Sequence, residues 1–345
     1  MKKKIFFGIA ISAIFLYMAF NAVDIKEMVS TLQNAKYWWL LPGLGFMFLS
    51  LIIRAYRWKL FMNPIKVVPT NKLFSAMMIG YMANNVFPLR LGEFMRAFAI
   101  GRSANISKAS SFATILVERI IDVLSLLVIF GVTVLFHEFP ERIEQAGFFI
   151  FLGAISLIFF IVMLLRKTQQ TMHFVWRLST PLPYKIKKTI YRMMRSFLQG
   201  FEVLRKSDHY GIILIQSILL WLLYAGMVYV TFYVFDLVPQ GASIMIASLV
   251  LLVMVSIGIM IPASPGFVGT YHYFCIQGLA LFGIDANAAS SFAIILHLSN
   301  YIPMTLAGFI YFWKENLHFK DALEQKDATN QSEQPEPENV ELEPR

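Results

Sequence analysis

The sequence predicts an all-α, polytopic integral membrane protein with about eight hydrophobic elements, two of them Pro/Gly-broken or re-entrant. Three observations carry that expectation. Of the 345 residues, 57% are hydrophobic, with a mean hydropathy of +0.61. Charged residues make up only 15%, against about 25% in soluble domains. The apolar residues come in long runs, several of them near the roughly 20 residues that cross a bilayer.

The first run, to about Val23, follows Lys2, Lys3 and Lys4 with no A-x-A site, so it reads as an uncleaved signal anchor. Further clear runs lie near 38–57, 109–136, 146–165, 210–235, 242–261 and 287–313. Two segments are apolar but interrupted. One is 73–101, broken at Asn84-Asn85-Val86-Phe87-Pro88; the other is 262–283, broken at Pro262-Ala263-Ser264-Pro265-Gly266. Such breaks are tolerated at membrane depth only where the freed backbone groups face protein or a water-filled cavity.

Orientation follows from the loops. Lys2 to Lys4, then Arg54, Arg57, Lys59, Lys66 and Lys72, then the basic stretch 166–209 fall on the cytoplasmic side. The loop 137–145, with Glu138, Glu141 and Glu144, falls outside. These sides agree only if 73–101 enters and leaves on one side, as a re-entrant hairpin. Within the connector, 184–205 has Ile186, Ile190, Met193, Phe197, Phe201 and Leu204 at helical spacing opposite a basic face, an interfacial amphipathic pattern. Residues 316–345 form an acidic, Pro-rich tail without the apolar content to fold, placed here in the cytoplasm. The two halves are loosely alike, each with two spans, a broken segment and another span; paired breaks point to a transporter's substrate site.

Charges inside spans cost about 2.5–3.5 kcal/mol each on insertion scales, so they mark candidate sites. Around the first break, Pro88 stops one helix and a second half-helix is expected from Leu89 or Arg90, with Gly92 relaxing the turn. Arg90 and Arg96 flank Glu93, and Glu93 and Arg96 share a face. Asn84 and Asn85 add amide groups; a half-helix N-terminus with arginines suits a phosphate. The span 109–136 carries Glu118, Arg119 and Asp122, whose carboxylates at i and i+4 need a cation between them. At the second break, Pro265, Gly266 and Gly269 free backbone groups, and His272 follows as a headgroup contact, a proton carrier or a structural residue. His297 and Asn300 read as helix-packing polar residues. Arg54 and Arg57 read as snorkelling anchors that could also meet lipid phosphates.

No G-x-S-x-G, Walker loop, H-E-x-x-H or C-x-x-C motif occurs, and Cys275 stands alone, so no catalytic residue, metal site or cofactor is assigned. The net charge of +9 lies between hydrophobic runs and not on a folded basic domain, which argues against nucleic acid as a partner.

The run Asn85-Val86-Phe87-Pro88-Leu89-Arg90-Leu91-Gly92-Glu93-Phe94-Met95-Arg96 resembles the N-x-x-P-x-R-x-G-E-x-x-R signature of the flippase-like membrane domain of lysylphosphatidylglycerol synthases. Glu118-Arg119 with Asp122 resembles that family's E-R-x-x-D, and Pro262 to Gly269 its P-x-x-P-G-x-x-G turn. Arg54 and Arg57 fit its basic pair after the second span. The resemblance covers about residues 1–315 and implies a membrane domain that moves lipids between leaflets. One position departs from it: the family usually has Glu three residues after the last motif Gly, and here that place is His272. The soluble aminoacyl-transfer domain of the full-length synthases has no counterpart in this sequence, so synthesis of lysylphosphatidylglycerol is not expected.

The expectation is therefore a non-enzymatic lipid translocator in the cell membrane, multi-pass, with its N-terminus cytoplasmic. Its partners would be membrane lipids with anionic headgroups, phospholipid or polyprenyl-phosphate-linked. The substrate site would comprise Asn84, Asn85, Arg90, Glu93, Arg96, Glu118, Arg119, Asp122, Pro265, Gly266, Gly269 and His272. A membrane enzyme acting on a lipid carrier, a regulator of a cell-envelope protein, and a homo-oligomer stay open as alternatives.

Overall fold

A computed structural model of the chain describes residues 2–87, 91–136, 166–178, 184–200, 209–261 and 265–315, with isolated positions between 145 and 163. Arg90 and Pro88, most of the run 146–165, residues 201–208 and the tail lie outside the described residues.

The helices are α1 (Lys2–Phe20), α2 (Ile25–Gln33), α3 (Leu40–Met62), α4 (Thr70–Val86), α5 (Gly92–Ala104), α6 (Lys108–Val134), α7 (Thr168–Leu178), α8 (Tyr184–Gly200), α9 (Tyr210–Val234), α10 (Ile244–Met260), α11 (Thr270–Ala280) and α12 (Ala286–Lys314). No strand occurs among the described residues. Several starts follow from side-chain chemistry. Asp24, Ser107, Ser243 and Asp285 each accept a hydrogen bond from backbone N–H groups of the turn that follows. Segments Tyr37–Met62, Tyr210–Val234 and Ala286–Lys314 are long and apolar enough to cross a membrane. Their outer faces keep apolar groups exposed, such as Phe48 and Ile52 on α3, Leu214 and Leu222 on α9, and Ile302 and Leu306 on α12. This is an all-α membrane protein, whose exposed apolar surface calls for lipid.

The two broken segments become two hairpins. Helices α4 and α5 run back to back, held close where Gly80 meets Gly92 and Arg96. At the open end Lys66 and Lys72 donate to Ala104 O and Ser103 O, both at 2.8 Å. Helices α10 and α11 do the same, with Gly258 against Thr270 and Gly278 against Leu251 and Met254. Their outer ends are tied by Gln240 N–H to Phe282 O at 2.9 Å. The run at 242–261, read in the sequence as a span of its own, is thus one arm of a hairpin.

These hairpins open at opposite ends of the bundle. One end gathers the start of α4, the end of α5 and the end of α12, where Ser75 Oγ donates to Glu315 Oε1 at 2.9 Å. The other end gathers the end of α9, the start of α3 and the start of α12. There Lys36 N–H bonds Val234 O at 2.7 Å, the Lys36 ammonium pairs with Asp236 at 2.6 Å, and Asp24 N–H bonds Asn287 Oδ1 at 2.8 Å. The hairpin tips meet between the ends: Asn85 Nδ2 donates to Thr305 Oγ1 at 2.8 Å, and Tyr301 OH to Asn85 O at 3.2 Å. Gly266 abuts the same Tyr301 ring.

The order long helix, hairpin, long helix occurs twice, as α3, α4–α5, α6 and as α9, α10–α11, α12, with α3 and α9 packed antiparallel. The halves are also exchanged: α4 packs along α12, and α10 packs against α6.

Candidate functional site

Four helices bring charge into the interior. Helix α3 presents Arg54 and Arg57, one turn apart; α5 presents Arg96; α6 presents Glu118, Arg119 and Asp122; and α9 adds Ser217 and Tyr224. Glu118 sits at the centre, fully buried. It accepts from Arg54 Nε at 2.7 Å, from Arg96 Nη2 at 2.7 Å and from Arg119 Nη2 at 3.3 Å, with Arg57 Nη2 at 3.8 Å. Asp122 pairs with Arg54 Nη2, with Arg57 Nη2 at 2.6 Å and with Arg119 Nη1 at 3.6 Å. Arg54 Nη1 also donates to the Tyr224 hydroxyl, and Arg57 Nη1 to Ser217 Oγ, both at 3.0 Å. The Arg96 guanidinium lies 3.7 Å above the Trp58 ring, whose Nε1 donates to Thr114 Oγ1 at 3.0 Å.

The repulsion expected between Glu118 and Asp122 is thus relieved by arginines from three helices. Side-chain exposure rises from 0% at Glu118 and Arg57, through 15% at Asp122, to 31% at Arg119, so the site opens at Arg119. Among the described residues the guanidiniums of this cluster outnumber the carboxylates four to two. The Nε–H groups of Arg57, Arg96 and Arg119 are buried without a hydrogen-bond acceptor among the described residues. Each such donor is costly, by about 1–3 kcal/mol.

The other predicted residues have different surroundings. Asn84 Oδ1 accepts the Gly92 N–H at 2.7 Å and so caps the start of α5. Gly92 does not serve as a loose turn. It is helical, and a Cβ there would overlap Gly80 O and the Asn84 amide. Glu93 is half-buried in the first turn of α5, and the acceptor that Arg96 finds is Glu118. Pro265 begins a short 3-10 turn, followed by Gly266 at φ +64°, Phe267 at φ +60° and Gly269 at φ +99°. A Cβ on Gly269 would press on the Ser12 backbone of α1. His272 is buried, takes the Gly269 N–H on Nδ1 at 3.5 Å and packs against Phe20 and His297. His297 Nε2 reaches Gly266 O at 2.9 Å, so this residue fastens the second break as well as packing α12. Asn85, Gly266, His272 and His297 therefore hold the hairpin tips, while Arg96, Glu118, Arg119 and Asp122 form the charged site.

The sequence had placed Arg54 and Arg57 at the rim as anchors; both are inside, as the principal partners of Glu118 and Asp122. Their spacing of three on an apolar run was the available signal, since snorkelling requires only that a side chain reach the surface. Tyr224 and Ser217 carried no signal, being ordinary residues of an apolar helix until α9 packs on α3.

A multi-helix membrane bundle with two opposed hairpins and a buried arginine–carboxylate cluster defines the class of protein. Residues 5–308 match the family described as the lysylphosphatidylglycerol synthase TM region, and the chain belongs to it. It is similar to a UPF0104 membrane protein of Methanocaldococcus jannaschii, 21% identical over 87% of this chain and 91% of the relative. UPF0104 membrane proteins of Methanothermobacter thermautotrophicus (23% identical, 82% and 87% covered) and Pyrococcus horikoshii (24%, 89% and 95%) are similar along the same length. No solved structure matches.

Proposed function

We propose that this protein is a lipid translocator, moving an anionic phospholipid or a polyprenyl-phosphate-linked lipid between leaflets. The observation that carries the reading is the buried cluster in which guanidiniums exceed carboxylates and three Nε–H donors lack an acceptor among the described residues. A headgroup phosphate supplies the missing acceptors and charge. The fold supports it: hairpins opening at opposite ends, with tips meeting between, give each face of the membrane a route to the middle. At 1.5 Å per residue, α5 is about 20 Å long and α11 about 16 Å, short of the roughly 30 Å hydrocarbon core, as re-entrant arms would be. In this reading the N-terminus, the basic connector and the end of α12 face the cytoplasm of a cell-membrane protein. The lipid leaves chemically unchanged, and the protein is not an enzyme.

Reconstitution in vesicles carrying a fluorescent anionic lipid, with quenching from outside, measures the exchange. Arg96→Ala and Glu118→Gln should each lower the rate at least about tenfold, the equivalent of one lost charge-assisted hydrogen bond. Wild-type rates in both variants, or a change in the lipid's mass, would count against the reading.

A further inference from the structure

We infer that the charged site takes a doubly ionised phosphate, that is, a phosphomonoester or diphosphate headgroup, in preference to a phosphodiester or a zwitterion. The inference builds on the translocator reading only in naming a lipid as the carrier of that phosphate.

Charge balance is the starting point. Arg54, Arg57, Arg96 and Arg119 meet Glu118 and Asp122, which among the described residues of the cluster leaves two positive charges uncompensated. A phosphodiester brings one negative charge, whereas a phosphomonoester above its second ionisation, near pH 6, brings nearly two. Only the latter neutralises the site, and uncompensated buried charge is strongly destabilising.

Hydrogen bonding points the same way. Arg57 and Arg96 have side chains 0% and 4% exposed, yet the Nε–H of each lacks an acceptor among the described residues, as does that of Arg119. A phosphodiester offers two unesterified oxygens; a phosphomonoester offers three acceptor oxygens. Arg54, by contrast, has each of its three nitrogens donating already, to Glu118, Tyr224 and Asp122, so it frames the site. Arg119, the exposed member, is where a headgroup enters.

The test uses the full-length protein in phosphatidylcholine nanodiscs containing phosphatidic acid, phosphatidylglycerol or neither, with retained lipid read by native mass spectrometry. At about pH 8, phosphatidic acid should be enriched over phosphatidylglycerol at least about tenfold, as one extra charge-assisted contact predicts. At about pH 5 the enrichment should collapse, because the ligand's second proton returns near pH 6. Arg119→Gln should reduce it at neutral pH, and Arg96→Lys, which keeps the charge but loses the Nε–H, should weaken it while the protein still folds. Inorganic phosphate and pyrophosphate are titrated against the bound lipid. If they displace it, the site reads the phosphate itself; if they bind with no enrichment of phosphatidic acid, the lipid source is overturned. Equal retention of the two lipids at about pH 8, or enrichment indifferent to pH, overturns the inference. Translocation in the same membranes separates the two readings: movement of phosphatidylglycerol without preference leaves the translocator standing and this inference fallen, and selective binding without movement does the reverse.

Discussion

Arg54 and Arg57 lie one turn apart on α3, and their reach to Glu118 and Asp122 crosses more than sixty positions of sequence. No local pattern announces that pairing. The carboxylates were legible as a site because two of them on one helix face demand a counter-charge; which arginines supply it is decided only when α3, α5 and α6 pack. Removing Arg57 takes from Asp122 a partner at 2.6 Å and from the buried Ser217 hydroxyl its donor. Arg57→Gln should therefore destabilise the protein by about 3–5 kcal/mol, read as a lowered thermal midpoint in detergent; an unchanged midpoint would mean the pair is not buried as described. Glycines behave with similar locality. Gly92→Ala must push Gly80 O aside and should cost about 1–3 kcal/mol. Gly45→Ala on α3 meets open space and should be neutral or stabilise by up to about 1 kcal/mol.

At the scale of elements, the breaks were plain in the sequence because Pro88 and the Pro262–Gly266 run cannot continue a helix. Their consequence was only half legible. The first break was expected to give a hairpin, on charge grounds. The second reads as following a separate span, because 242–261 is a long apolar run; the structure gives it a return arm, α11, of 11 residues. Asn84 looked like a ligand residue and is instead the cap of α5, since a helix beginning at Gly92 needs an acceptor for its first N–H groups. Asn84→Ala should speed hydrogen exchange of the backbone amides just after Leu91 and lower stability by about 0.5–2 kcal/mol. His272 carried the same ambiguity: a polar residue beside a break serves either a ligand or the break, and here it serves the Gly269 turn.

For the whole molecule, basic loops and apolar runs sufficed for the class, and the repeat of long helix, broken segment and long helix could be glimpsed. That the halves run in opposite senses follows from contacts such as Lys36 with Val234 and Ser75 with Glu315, which composition cannot encode. The same contacts place Asn34, in the turn after α2, at the end of the bundle opposite Glu315. In a Cys275→Ala background, Asn34→Cys should react with an impermeant maleimide added to intact cells, and Arg195→Cys on α8 only after permeabilisation. Labelling of both from outside would invalidate the proposed orientation.

The exchange of partners between halves also bears on biogenesis. Helix α4 is completed long before α12, yet beside its contacts with α5 it relies on α12 for another set, Asn85 to Thr305, Ser75 to Glu315 and Met78 and Met82 to Gly308. A nascent chain must therefore hold its first hairpin at the insertion machinery, incompletely housed, until the final span emerges. The packing of that hairpin is thus completed only when the last helix arrives.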